Sequence, residues 1–132
     1  MIKNLLPTQA YAFLQTNPKA VLIDCRMEIE HLYVGNPVGS VHVPWYEYPE
    51  FDTSPAVFAQ NVLQAVGNDK TCPVVLICRS GQRTVPAAQV LVDVGFDDVS
   101  NVLHGFEGDL DEQFKRSTLN GWRFDGLPWV QM

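Results

Sequence analysis

The sequence predicts an α/β protein, a parallel sheet flanked by helices on both faces, and three observations predict it. Short aliphatic and β-branched runs recur at Ala20 to Cys25, Val41 to Val43, Val74 to Ile77 and Val99 to Leu103. Ala20 to Cys25 and Val74 to Ile77 are nearly continuous rather than alternating, as strands covered on both faces require. Stretches with apolar residues at helical spacing fall between them, and strands alternating with helices imply a parallel sheet. Gly, Pro and Asn punctuate the joins. No internal repeat or linker divides the chain, so residues 1–132 form one domain.

In order, Leu5 and Leu6 make a short first strand or an entry segment. Pro7 to Thr16 is a helix with proline at its first position, where the missing N–H costs little, and Ala10, Phe13 and Leu14 face inward. Asn17-Pro18 stops it. Ala20 to Cys25 is the second strand. Glu28 to Tyr33 forms a short helix closed by Gly35-Asn36-Pro37, and Val41 to Val43 is a strand ended by Pro44. Trp45 to Pro55 is an irregular crossing in which Trp45, Tyr46, Tyr48 and Phe51 cover the core in preference to rimming a docking surface. Ala56 to Val66 is helical, with Val57, Phe58, Val62, Leu63 and Val66 on its apolar stripe and Gly67-Asn68 as its stop. After the strand at Val74 a second such helix carries Ala87, Ala88, Val90, Leu91 and Val94. Val99 to Leu103 is the last strand and Glu107 to Arg116 a polar helical segment. Trp122, Phe124, Leu127 and Trp129 of the tail form a hydrophobic cover.

Composition narrows the function. A chain of 132 residues buries roughly two thirds of its unfolded surface. Its net charge of −6 argues against nucleic acid or an anionic membrane as partner. The amino-terminal residues lack the long apolar core of a signal peptide, and no apolar run approaches a membrane span. Cys25, Cys72 and Cys78 fit neither a disulfide framework nor a metal spacing, so a reducing cytoplasm is expected and no metal or cofactor. His31, His42 and His104 show no ligand spacing either, and of these only His104 is expected near the site.

The organising stretch is Val74 to Phe96. An apolar strand ends at Cys78, and Arg79-Ser80-Gly81-Gln82-Arg83-Thr84 leads into the helix. A strand-to-helix turn leaves backbone N–H groups free, and the helix dipole adds positive potential. Gly81 permits the backbone conformation such a nest of donors needs. A thiol placed there is biased toward thiolate, whose pKa falls from about 8.5 to roughly 3.5–7.5 in such surroundings. Arg79 and Arg83 strengthen that bias, in a chain with only nine basic residues. A cation such as Arg83 at a helix start is unfavourable unless an anion compensates it. Asp24, Cys25, Arg26 and His104 belong to the same carboxyl edge, where sites of such sheets lie.

This loop resembles the active-site loop of the rhodanese (sulfurtransferase) family. Val21-Leu-Ile-Asp-Cys-Arg26 with Glu30 is similar to the upstream family pattern, as are Gly95-Phe96, Val102-Leu-His-Gly-Phe-Glu-Gly108, Gly121-Trp122 and Gly126-Leu-Pro-Trp129. The resemblance implies a sheet of about five strands. It also implies transfer of a sulfane sulfur from thiosulfate or a related donor to cyanide, a thiol or a protein acceptor. Cys78 would be the nucleophile and persulfide carrier. The loop residues Arg79, Ser80, Gly81, Gln82, Arg83 and Thr84 would bind the anion, with Asp24, Arg26 and Glu30 supporting or simply pairing at the strand end. Two positions depart from the pattern. Gly35 to Ser40 reads Gly-Asn-Pro-Val-Gly-Ser, and Cys25 stands where valine is common; a core thiol is its preferred reading, a resolving thiol the alternative. A non-catalytic sulfur-carrier or interaction module of the same fold is a competing reading. A dual-specificity-type phosphatase is the weaker one, because only four residues separate Cys78 from Arg83 where a phosphate-sized loop has five.

Overall fold

A computed structural model describes residues 1–132. The elements are β1 (Ile2–Leu5), α1 (Pro7–Thr16), β2 (Val21–Asp24), a π-helical turn (Glu30–Val34), β3 (Asn36–Pro37) and β4 (Val41–His42). They continue with α2 (Pro55–Ala65), β5 (Val74–Ile77), α3 (Thr84–Asp93), β6 (Val99–Val102) and β7 (Trp129–Val130). Five strands form one parallel sheet in the order β1-β6-β5-β2-β4, while β3 and β7 pair antiparallel beside it. The α/β class and the parallel sheet of five strands are therefore as expected. No helix is long and apolar enough to cross a membrane.

Each face of the sheet buries its own core. Ile23, Val74, Leu76 and Val99 point to one side, against Phe58, Ala59 and Val62 of α2 and Ala87, Ala88 and Leu91 of α3. Leu22, Val75, Ile77 and Val102 point to the other, against Ala10 of α1 and against Phe106 and Trp122. The alternation of one strand's residues between two cores explains why its sequence reads as unbroken apolar. β5 is central and fully buried, so its carboxyl end, which carries Cys78, is the most firmly anchored point of that edge.

Some local expectations fail for identifiable reasons. Residues Glu107 to Arg116 are turns, not helix. The Asp111 carboxylate accepts N–H bonds from Gln113 and Lys115 and the Thr118 hydroxyl, and Phe114 takes a left-handed φ of 61°. An Asp side chain that satisfies nearby amides competes directly with a helix. The first strand starts earlier, at Ile2, because it pairs with β6 from Ile2↔Val99 onward. Val57 and Val94 lie on exposed helix flanks.

The aromatic stretches divide. Trp45 is buried edge-on to Phe58, as a cover should be, while Tyr48 and Phe51 stand out in solvent. In the tail, Trp122 is buried and Trp129 packs on Phe106, but Phe124 is half exposed.

Candidate active site

β5 delivers Cys78 to the carboxyl edge, and the turn to α3 wraps around its sulfur. The Gly81 amide donates to Sγ at 3.2 Å, with Gly81 at φ 95°, where only glycine is unstrained. The Thr84 hydroxyl lies 3.7 Å from Sγ and donates to the Asn101 side chain in a short bond. Asn101 is in turn held by its amide, which donates to Asn4 at 3.2 Å. The backbone N–H groups of Arg79, Ser80, Gln82, Arg83 and Thr84 donate to no protein acceptor. A turn this rich in unused donors is suited to an anion. Cys78 itself is only 1% exposed, so the thiol sits beneath the turn and not at its open mouth.

The two arginines have different surroundings. Arg79 is exposed and free of any ion pair. Arg83 forms a bidentate pair with Glu30, at 2.7 and 2.9 Å, and stacks over Tyr46 at 5.3 Å. Burial would raise the Glu30 carboxyl, but the Arg83 hydrogen bonds and charge outweigh it and hold it below its ordinary value. The anion that lets a cation sit at the start of α3 is thus an internal carboxylate.

One strand away, Asp24 and Arg26 are both fully buried and paired. Asp24 accepts from Arg26 Nε (2.9 Å), Nη2 (2.7 Å) and backbone N–H (3.1 Å), and from His31 Nδ1 at 2.7 Å. Burial pushes this carboxyl up, yet the His31 and Arg26 bonds prevail and bring it to about 2. Arg26 also donates to the Gly35 carbonyl at 2.5 Å and lies over the Phe106 ring. Asp24 and Arg26 pair with each other. Glu30 instead reaches across to the Cys78 loop. Cys25 is buried in the main core, and burial, with the Cys78 and Asp24 charges, raises its thiol well above the ordinary range.

Several residues of the site lacked a role in the sequence reading. Gly105 (φ 62°) passes so close to the loop that a Cβ there would meet the Cys78 carbonyl oxygen at 2.4 Å. This approach lets Phe106 N–H bond Cys78 O (2.8 Å) and Glu107 N–H bond Arg79 O (2.9 Å). The strand β6 exit therefore braces the loop from below. Asn101 had a detectable signal, a polar residue inside an apolar strand; His31 and Tyr46 had none. His104 pairs with Asp109 at 3.3 Å, and its backbone N lies against the Gly81 turn.

A buried strand-end cysteine under a donor-rich turn, in a five-stranded parallel sheet, defines a class, and the rhodanese-like domain model matches residues 6–112. The chain belongs to the rhodanese-like domain family. Rv0390 from M. tuberculosis, known from its crystal structure, is 37% identical with a TM-score of 0.82 over 98% of both chains. An uncharacterized protein of Rickettsia conorii is 30% identical over 97% of each chain. The thiosulfate sulfurtransferase GlpE of Glaesserella parasuis is 32% identical, over 79% of this chain and 82% of its own.

Proposed function

We propose that the protein is a sulfurtransferase that carries a sulfane sulfur as a persulfide on Cys78. The observation that carries this reading is the Gly81 N–H aimed at Sγ within a turn whose other amides lack protein acceptors. Likeness to the GlpE sulfurtransferase supports it. In the first half-reaction the Cys78 thiolate attacks the outer sulfur of thiosulfate, and the donor's S–S bond breaks. Sulfite leaves with the electron pair. In the second, cyanide or a thiol takes the outer sulfur and Cys78 is returned as thiolate. Loop amides stabilise negative charge on the terminal sulfur, as preorganised donors do. Because Cys78 is covered, the turn at 79–82 opens slightly to admit the donor. That cover favours a thin, terminal sulfur over a bulky phosphate ester.

Incubation with thiosulfate adds about 32 Da to the peptide containing Cys78, and the Cys78→Ser protein gains nothing. Mass spectrometry of the two proteins decides the matter. An unmodified wild-type peptide after thiosulfate, mercaptopyruvate and a persulfide donor leaves the carrier or interaction module as the better reading.

A further inference from the structure

We propose that the groove formed by residues 27–33 with Glu47 and Tyr48 docks a cationic, apolar segment of a protein that presents the acceptor thiol. The proposal rests on the sulfurtransferase reading and gives the class of its second substrate.

The groove has a volume of about 620 Å³, with Met27, Ile29, Leu32, Tyr33 and Tyr48 as its apolar lining and Glu28 and Glu47 as its charged lining. Ile29 is 58% exposed, Tyr33 61% and Tyr48 71%, so large apolar side chains converge there in contact with water. Such clusters mark interaction surfaces more often than chance exposure does. The wall is preformed. Met132 N–H donates to the Leu32 carbonyl at 3.0 Å, and the Gln131 amide donates to the Tyr33 carbonyl at 3.0 Å. The groove is also tied to the chemistry. Met27 N–H donates to Glu30 Oε1 at 3.1 Å, and the same carboxylate holds Arg83 of the Cys78 loop.

Charge selects the occupant. The groove's two charged lining residues are the carboxylates Glu28 and Glu47, neither in an ion pair, and it is lined by no Lys or Arg. A second copy facing this groove would set acid against acid, and an anionic lipid surface or the anionic donor would be repelled. Arginine or lysine flanking an apolar contact meets both demands. Transfer then needs no further reactant. The docked thiolate attacks the outer sulfur of the persulfide, the bond from that sulfur to Cys78 Sγ breaks, and Cys78 keeps the electron pair.

Protein loaded with thiosulfate and freed of excess donor is mixed with either of two synthetic thiols, acetyl-Leu-Arg-Cys-Arg-Leu-amide or acetyl-Leu-Glu-Cys-Glu-Leu-amide. Loss of about 32 Da from the Cys78 peptide gives each rate. The arginine peptide is expected to react roughly tenfold faster or more, an advantage that shrinks with salt. Flanking charge also alters a thiol's own reactivity, so the comparison between variants decides. Glu28→Gln with Glu47→Gln lowers the ratio about threefold or more. Asp93→Asn with Asp125→Asn removes the same charge elsewhere and leaves the ratio nearly in place. Replacing both peptide leucines by serine slows transfer several-fold. A ratio near one, or one moved equally by both double variants, overturns the docking site while leaving the persulfide intact. Failure of the protein to take up sulfur overturns the sulfurtransferase reading and this acceptor site with it.

Discussion

Cys25 and Cys78 follow directly on the register pair Asp24↔Ile77 of neighbouring parallel strands, and both are buried, at 0% and 1% exposure. Their surroundings differ. The Cys25 thiol finds only the Ile23 carbonyl, at 3.9 Å, and packs among aliphatic side chains. The Cys78 sulfur meets the Gly81 amide at 3.2 Å and the Thr84 hydroxyl. Exposure does not separate the two; a backbone N–H donor does. Burial among apolar groups opposes the thiolate, as it does at Cys25.

The largest expected effect tests that contrast. Cys78→Ser is expected to lower sulfane transfer by about a thousandfold or more, since the proposed nucleophile is gone. Cys25→Ala leaves turnover within about twofold and is felt in stability instead, at roughly 1–2 kcal/mol for a small core cavity. Steady-state assays and urea unfolding on the same preparations check both. A drop of tenfold or more in turnover for Cys25→Ala would restore the resolving thiol and erase the contrast.

The next effect concerns the scaffold side of the same edge. Asp24 offsets the buried Arg26 charge, so Asp24→Asn leaves that charge uncompensated and destabilises the fold by about 3–5 kcal/mol. The Asp24 carboxyl sits at about 2 in the folded chain against an ordinary 3.8. A folded value below the unfolded one means stability present above about pH 4 and lost as the pH falls through about 2. The amount is on the order of 2 kcal/mol. Urea midpoints at about pH 5 and about pH 2.5 should therefore fall further for the wild type than for Asp24→Asn. Parallel losses would show that the pair's charge is not what holds this edge.

The sheet was readable because strands covered on both faces and helices with one apolar stripe leave opposite periodicities in the chain. Cys78 with its loop was readable because glycine, arginine and a strand end coincide. What escaped depends on distance in sequence. That Glu30 belongs with Arg83, 53 residues away, and not with Arg26 is a consequence of the π-helical turn at Glu30–Val34, which periodicity does not announce. Gly105 lay inside the Val102 to Gly108 stretch without a role of its own, since its close approach to the Cys78 carbonyl exists only once β6 lies beside β5. The false helix at 107–116 has a local origin, because its polar residues suit a solvent-exposed helix as well as the Asp111-centred turn that forms.

The smallest effect separates the two arginines of the loop. Both were expected to attract the donor, but Glu30 compensates Arg83 while Arg79 is free. Arg79→Ala should therefore raise the KM for thiosulfate by about three- to tenfold, with little change in kcat, because an exposed charge acts on encounter and ground-state binding. The increase should fade as salt rises. Glu30→Gln gives the opposite sign. It releases the Arg83 charge toward the site and lowers the thiosulfate KM a few-fold, provided glutamine still accepts one guanidinium bond and keeps the side chain in place. Initial rates across donor concentration, at low and high salt, read both variants. If Arg79→Ala is silent and Glu30→Gln raises KM, the donor is anchored by the paired arginine in its fixed geometry, and positioning outweighs net charge in this loop.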